Sequence, residues 1–193
     1  TGQAITATQN ILRPLSAPIS TGFYASFLIN AGNQKTFDNF GFFSNGGSTE
    51  NFSFGVAWNG SRAGSTYGSW VQALHTGVFS TVPVDSATHL FVIELQVLTP
   101  RPDINGNTMH VGVFIDPDLS AGTLPATPSY SFEVTANVIP YIDTTRAEIR
   151  GDGSMDEIRI GTELADVVSV PEPASLSLLG FGAVALLCRK SRH

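Results

Sequence analysis

The chain has 193 residues, 42% hydrophobic and 13% charged, which suits one domain with a buried core and argues against a disordered chain. Its formal net charge is −6. Setting aside the C-terminal Arg189, Lys190, Arg192 and Glu172 leaves seven basic and fifteen acidic residues, a net charge of −8 over residues 1–168. An acidic surface without a basic stripe repels phosphate backbones, so no nucleic-acid partner is expected.

Composition favours an all-β class, because 19 glycines and 13 phenylalanines are typical of short strands joined by turns. Cys188 is the single cysteine, so neither an intrachain disulfide nor a cysteine-based zinc site is expected. The chain opens with TGQAITATQN and shows no signal peptide there, which predicts a removed leader or an N-terminally incomplete sequence.

The first two strands are predicted from alternating patterns in the N-terminal third. Residues 23–29, FYASFLI, place Phe23, Ala25, Phe27 and Ile29 on one side, as a strand with one face on a core requires. Residues 51–58, NFSFGVAW, repeat the pattern with Phe52, Phe54, Val56 and Trp58. Almost no strand is expected before Phe23.

A central hairpin is predicted next. Residues 89–98, HLFVIELQVL, are apolar on both sides apart from Glu94 and Gln96, which favours a strand covered on both faces. Residues 107–116, NTMHVGVFID, alternate again, and Asn105-Gly106 between the two runs favours a tight turn. The two strands are therefore expected to be antiparallel neighbours.

Later strands are predicted near Tyr130, near Ile149 and from Ser154, separated by Gly, Pro and Asp clusters. No window before residue 170 has a sustained helical period. Seven or so strands predict an antiparallel jelly-roll β-sandwich, followed by a short C-terminal hydrophobic helix.

The acidic residues and histidines do not form a recognisable catalytic pattern. The acid clusters are Asp116 with Asp118, Asp152 with Asp156 and Glu157, and Glu163 with Asp166. None has the alternate-position spacing of a laminarinase-type site, and the two-carboxylate mechanism requires a matched pair. The four histidines, His75, His89, His110 and His193, are scattered, so structural roles are favoured and no catalytic residue is assigned.

Two local patterns have competing interpretations. Asp103, Asn105 and Asn107 alternate like the start of a calcium loop, but residue 114 is Phe114, so a hairpin turn is favoured over an EF-hand. Trp58, Arg62, Tyr67 and Trp70 are candidates for a sugar-stacking platform, against the more common role of strand aromatics in the core.

The segment SMDEIRIGTELADV, residues 154–167, together with FYASFLINAG, HLFVIELQV and GVFIDPDLS, resembles concanavalin A-like and laminin-G-like jelly rolls of exported bacterial proteins. The resemblance spans about residues 5–168 and implies a jelly-roll domain over residues 1–168, incomplete at its N-terminus. Members bind glycans, proteins or structural calcium. No cofactor is expected, and Asp156 is the candidate if a structural calcium exists, with a turn role as the alternative.

The C-terminal segment, residues 169–193, resembles a PEP-CTERM sorting signal. It consists of VPEP at 170–173, an uncharged run at 174–188 and the basic tail RKSRH at 189–193. The resemblance implies that Pro171, Glu172 and Pro173 are read by exosortase, a membrane-embedded cysteine protease that removes the tag.

Physical features of this tail agree with a transient membrane anchor. Residues 174–188 would span roughly 22 Å as a helix, against about 30 Å of hydrocarbon, so insertion is marginal. Arg189, Lys190 and Arg192 hold the C-terminus in the cytoplasm, which places the sandwich outside. Pro171 and Pro173 end the helix and keep the motif accessible.

The sequence therefore predicts an exported bacterial surface or exopolysaccharide-associated protein, with a non-catalytic jelly roll sorted by exosortase to the cell envelope or extracellular matrix. Its expected partners are exosortase, the membrane during sorting, and an exopolysaccharide or other glycan. Two alternatives stay open: a glycan hydrolase of the concanavalin A-like fold, and a permanently anchored single-pass membrane protein.

Overall fold

The structure is a computed structural model, and it describes residues 5–6, 9–19, 21–32, 38–44, 46–56, 66–99, 107–136, 142–150 and 152–168. The predicted C-terminal hydrophobic helix, the sorting motif and the basic tail lie outside these residues. Within them, no helix has the length and apolar character needed to cross a membrane.

The described residues contain twelve strands and two helical turns. The strands are β1 Ile5–Thr6, β2 Gln9–Ile19, β3 Phe23–Asn30, β4 Asn39–Ser44, β5 Thr49–Gly55, β6 Thr66–Val71, β7 Thr76–Pro83, β8 Thr88–Thr99, β9 Asn107–Ile115, β10 Tyr130–Ala136, β11 Ile142–Ile149 and β12 Ser154–Gly161. A 3₁₀ turn spans Gln72–Leu74, and α1 spans Leu164–Val167.

The strands form two six-stranded antiparallel sheets. The first sheet has the order β1-β12-β3-β8-β9-β10, and the second has the order β2-β11-β4-β5-β6-β7. Side chains from the two sheets meet in one core, which confirms the predicted all-β antiparallel sandwich. The estimate of seven or so strands was too low, because several glycine- or proline-containing segments also pair.

The strand β2 corrects the prediction that almost no strand precedes Phe23. It is an edge strand, and it pairs with β11 over most of its length. Its two prolines, Pro14 and Pro18, hide it from a pattern search. Proline lacks a backbone N–H, but an edge strand leaves one row of N–H groups unpaired, so prolines are tolerated there.

The predicted central hairpin is confirmed. β8 pairs antiparallel with β9 in a register that sets Phe91 opposite Ile115 and Gln96 opposite His110. β8 lies inside the first sheet, between β3 and β9. The turn residues Asn105 and Gly106 lie outside the described residues.

Phenylalanines from facing strands hold the two sheets together. Phe27 of β3 stacks on Phe91 at a centroid distance of 5.0 Å and meets Phe40 of β4 at 5.3 Å. Phe52 of β5 contacts Phe132 of β10 across the same gap, at 5.9 Å. Each aromatic pair adds about 0.5–1.5 kcal/mol beyond area burial. Because side chains alternate along a strand, the residues next to these phenylalanines point away from the core.

A second, smaller apolar cluster covers part of the outer face of the first sheet. Val92 and Phe114 pack there against Val167 and Val168, which follow β12. The Ser26 hydroxyl donates a 2.5 Å hydrogen bond to the Val167 carbonyl. This contact fixes the C-terminal end of the sandwich to β3.

Candidate functional site

The outer face of the second sheet is strongly polar. Because Phe40, Phe42, Phe52 and Phe54 point into the core, their neighbours along β4 and β5 point away from it. Strand register places Arg146, Gly41, Ser53 and Trp70 in one row. We call the following set the polar face: Asn39, Glu50, Asn51, Ser53, Trp70, Arg146 and Glu148.

A β-bulge shapes the middle of the polar face. Phe42 pairs with Phe52, whereas Phe43 pairs with Glu50, so Asn51 is an extra residue in β5. A bulge re-aims side chains and locally increases twist. Here it brings Glu50 within reach of β11, two strands away.

Arg146 is the centre of the polar face. One of its terminal nitrogens lies 3.3 Å from Glu50 Oε2 and 3.3 Å from Glu148 Oε2, and its guanidinium carbon lies 4.4 Å from the centroid of the Phe43 ring. Arg150 Nε donates a 2.6 Å hydrogen bond to the other oxygen of Glu148. Two guanidinium groups and two carboxylates therefore balance in charge.

Several polar atoms of this face are buried without a hydrogen-bond partner. They are both amide atoms of Asn51, Oδ1 of Asn39 and Nε of Arg146; Asn51 is 1% exposed and Asn39 is 2% exposed. An unpaired buried polar atom costs about 1–3 kcal/mol. These atoms have almost no solvent-accessible area, so they lie beneath the surface that a ligand would contact.

Trp70 and Tyr67, two residues of the predicted stacking platform, lie on opposite faces of the second sheet. Trp70 lies half-buried on the polar face, where its indole N–H donates a 2.9 Å hydrogen bond to Gln72 Oε1. Tyr67 is fully buried in the core against Phe91, and burial raises the pKa of its phenol. Tyr67 therefore cannot stack on a surface sugar, and it is removed from the platform. Trp58 and Arg62 lie outside the described residues.

A second concave surface lies on the outer face of the first sheet. This sheet groove has a volume of about 530 Å³, with a floor that includes Tyr24, Glu94, Gln96 and His110 and a wall formed by residues 122–126. The Tyr24 hydroxyl donates a 2.8 Å hydrogen bond to Glu94 Oε1. That bond, with burial and the charge of Glu94, raises the pKa of Tyr24.

A histidine clamped between two acids joins the ends of β8 and β9. His89 Nδ1 lies 2.5 Å from Asp116 Oδ2, and Nε2 lies 3.0 Å from Asp85 Oδ1. Burial lowers the pKa of His89, but the hydrogen bonds and charges of Asp116 and Asp85 outweigh it, so the pKa is raised. Tyr67 meets the ring edge-on at 5.1 Å. These contacts join the segment before β8 to the end of β9, so the cluster is suited to holding strand ends.

The candidate calcium ligand Asp156 lies inside β12 at an irregularity in its pairing with β3. Its Oδ1 accepts a 2.8 Å hydrogen bond from the Glu157 amide, and Glu157 has a left-handed φ of 50°. Across the described part of the chain, no three His, Cys, Asp or Glu side chains gather as a metal site. Calcium at Asp156 remains a prediction.

The sequence contained a signal for the sheet groove, whereas for the polar face it pointed only to Trp70. Glu94 and Gln96 interrupt an otherwise apolar central strand at alternate positions, and both line the groove. Glu50 and Arg146 are 96 positions apart, and only the pairing of β11 with β4 and the bulge bring them together. Single-strand patterns cannot reveal such a contact.

These features define an all-β antiparallel sandwich with a polar outer face. Residues 169–192 match the PEP-CTERM protein-sorting motif, which confirms the resemblance in the tail. The motif indicates an exported protein that is directed to the cell envelope. A search of curated protein sequences finds no match.

Two solved structures are weakly similar to the chain. One is CG-16, a homodimeric agglutinin from chicken liver, at 14% identity and a TM-score of 0.44, covering 82% of this chain and 100% of that one. The other is the catalytic domain of a glycoside hydrolase family 131 protein from Coprinopsis cinerea, at 16% identity and a TM-score of 0.39, covering 77% and 59%. With TM-scores under 0.5, neither bears on function.

Proposed function

We propose that the protein is delivered by exosortase and that its sandwich is a non-catalytic module that binds a neutral polysaccharide outside the cell. The sorting motif at residues 169–192 is the observation that carries the delivery. In this proposal Pro171, Glu172 and Pro173 are read by exosortase, residues 174–188 insert transiently in the membrane, and Arg189, Lys190 and Arg192 hold the C-terminus in the cytoplasm.

The intact mass of the protein recovered from cells with an active exosortase tests the delivery. A chain that ends between Val170 and Pro173 supports cleavage, and a chain that still ends at His193 overturns it in favour of a permanent anchor. Replacing Pro171 and Glu172 by alanine should leave uncut protein in the membrane fraction. The control is Pro128→Ala, which changes a proline in the sandwich and should be cut normally.

The polar face supports the binding part of the proposal. Its partly exposed side chains include a donor, the Arg146 guanidinium, and an acceptor, the Glu50 carboxylate, which matches hydroxyl groups that donate and accept. Together with the neighbouring Arg150, its ion pairs balance in charge, which favours a neutral ligand over an anionic one. Trp70 adds an aromatic surface to the same row, and amphipathic rings of this kind pack well against the apolar faces of sugars.

The position of Arg146 supports a non-catalytic role for this face. Glycosidases place the scissile bond between two carboxyl groups. Here a guanidinium nitrogen lies 3.3 Å from both Glu50 and Glu148, in the space that the bond would need. The two carboxylates are therefore suited to positioning donors, and turnover of the bound glycan is not expected.

Affinity electrophoresis through gels that contain neutral β-glucan, neutral α-glucan or anionic alginate tests the binding. We expect retardation by a neutral glucan, and a loss of at least tenfold in affinity for Trp70→Ala. The matched variant in the sheet groove, Gln96→Ala, should bind normally.

Other outcomes of this experiment contradict specific parts of the proposal. Loss of binding in Gln96→Ala but not in Trp70→Ala would move the site to the sheet groove. Retardation by alginate alone would contradict the neutral ligand. Release of reducing ends from a glucan, abolished by Glu50→Gln or Glu148→Gln, would establish the hydrolase alternative.

A further inference from the structure

A small apolar pocket lies on the outer face of the first sheet, where the sandwich ends. It has a volume of about 210 Å³, and three partly buried leucines from different segments line it: Leu28 of β3, Leu90 of β8 and Leu119 of the loop after β9. Leu28 and Leu90 are partners in the strand register, so their side chains project from the same face. We call these leucines, together with Val167 and Val168, the exit pocket.

The backbone leaves the sandwich beside the exit pocket. Leu164, at the start of α1, lines the sheet groove on the same outer face, whereas Val167 and Val168 line the exit pocket. The chain is anchored along this path, because the Ser26 hydroxyl donates to the Val167 carbonyl and the Val168 amide donates to the Leu164 carbonyl. The matched sorting motif begins at the next residue, 169, so it starts at the pocket.

A protein that reads the Pro-Glu-Pro sequence must come close to the exit pocket. Pro173 is five residues beyond Val168 in the sequence, and five residues span at most about 18 Å when fully extended. That distance is shorter than the roughly 30 Å diameter of a small domain. An enzyme bound at residues 171–173 therefore has the pocket within its own footprint.

We propose that the exit pocket is a second contact for the exosortase that reads the motif, and that it receives an apolar side chain from the outer surface of that enzyme. This inference rests on the proposed delivery by exosortase. The lining of the pocket is largely apolar, and its edge includes Glu157 and Arg159, which pair at 3.1 Å and balance in charge. Apolar pockets with a polar rim are typical of the anchor positions in protein interfaces.

The shape and charge of the exit pocket fit a protein better than a lipid surface. Peripheral proteins bind membranes through apolar side chains that enter the headgroup region, or through basic clusters that attract anionic lipids. The exit pocket is instead concave, and its edge has one acidic and one basic side chain. A side chain that protrudes from a neighbouring protein is therefore the favoured occupant.

The rate of cutting, followed by pulse-chase in cells with an active exosortase, tests the docking. Leu119→Asp places a charge in the pocket and should slow the appearance of the cut chain by about fivefold or more, the loss expected for an interface anchor. Leu28→Thr is a milder change and should slow it less. The matched control is Leu98→Asp, at an exposed position that lies about 26 Å along β8 from Leu90; it should be cut at the wild-type rate.

A spacer separates docking from a defect in folding. Ten Gly and Ser residues inserted between Val168 and Ser169 add a reach of about 17 Å, so the enzyme can read the motif without contacting the exit pocket. In this longer chain, Leu119→Asp should have little further effect on the rate of cutting. Equal slowing with and without the spacer would overturn the docking, because a misfolded sandwich would act in both chains.

A photo-crosslinker identifies what occupies the exit pocket. A benzophenone side chain at position 119, in cells whose exosortase lacks its cysteine nucleophile, should crosslink to the enzyme, and one at position 98 should not. Crosslinks to lipid, or to the chain's own residues beyond 168, would overturn the enzyme as occupant.

The failure of this inference and the failure of the proposed delivery give different results. A wild-type chain that is never cut would overturn the delivery, and the docking with it. A wild-type chain that is cut, with Leu119→Asp cut at the same rate or faster, would overturn the docking alone.

Discussion

The contacts of His89 with Asp85 and Asp116 predict a pH-dependent loss of stability in Asp116→Asn. Asp116 Oδ2 bonds the imidazole at 2.5 Å, and Oδ1 accepts a 2.8 Å hydrogen bond from the Leu90 amide. Asp116 has a left-handed φ of 49°, which asparagine also tolerates. Asparagine keeps the shape and the bond to Leu90, so the substitution removes mainly the carboxylate charge beside His89.

The size of the effect follows from these contacts. A hydrogen bond to a charged group contributes about 1.5–3 kcal/mol, against about 1 kcal/mol for a neutral one. The Asp116 side chain is 51% exposed, and solvent screens a pair of this kind. We therefore expect Asp116→Asn to lower the free energy of unfolding by about 1 kcal/mol at pH 6, where the imidazole is charged.

The loss of stability in Asp116→Asn should depend on pH, because the charge on His89 does. A raised pKa for His89 means that the folded state holds the proton more tightly than the unfolded state. The stabilisation is complete below the ordinary histidine pKa of about 6.5 and is lost as the pH rises through the raised value. Asp116→Asn lowers that folded pKa, so its deficit should shrink as the pH approaches 9.

Urea unfolding from pH 5.5 to 9 measures this difference, with Asp118→Asn as the control. Hydrogen bonds from Ser120 lower the pKa of Asp118, so this exposed group stays ionised throughout and its variant should give a flat difference. The loss in the free energy of unfolding for Asp116→Asn could instead stay constant or grow with pH. That result would contradict a charged His89 and would attribute the loss to a change in side-chain packing alone.

Two further substitutions test the core and the strand pairing by their urea midpoints. Phe27→Ala should lower the free energy of unfolding by about 3–5 kcal/mol, because Phe27 is fully buried and contacts rings of both sheets. Leu98→Ala, at a position that is 48% exposed, should cost far less. Gly68→Ala should cost about 1–3 kcal/mol, because its Cβ would lie 2.6 Å from the Val78 carbonyl, a backbone atom that cannot move aside cheaply. A Gly68→Ala midpoint equal to wild type would contradict this close approach of β6 and β7.

Alternation along single strands was enough to predict the core of the sandwich. The four inward residues of β3 and the pair Phe52 and Phe54 are all buried, because a one-residue change of register would expose the whole set. The antiparallel pairing of β8 with β9 was also predictable, since a turn signal separated two adjacent runs. Both predictions depended only on residues that are close together in the sequence.

The remaining features depend on contacts that a linear pattern does not contain. β2 was missed because its prolines conceal an edge strand. Tyr67 stayed a candidate for a surface platform, beside a core role, because aromatics on both faces of β6 look alike in sequence, although only Trp70 faces outward. Asp38 and Arg150 are 112 positions apart, and they meet only because β11 pairs with β4. These contacts depend on the order of the strands in each sheet, which the sequence did not reveal.

The junction between the sandwich and the sorting motif limits how the motif is presented. The Val168 amide donates to the Leu164 carbonyl, and Ser26 holds the Val167 carbonyl, so the fold is fixed up to residue 168. The matched motif begins at residue 169. Pro171 is three residues beyond Val168, and a chain segment of that length spans at most about 10 Å. An enzyme that reads Pro171 to Pro173 must therefore work almost against the sandwich, on the side where α1 packs over β3. The polar face belongs to the opposite sheet, so the proposed polysaccharide binding there is compatible with the proposed sorting.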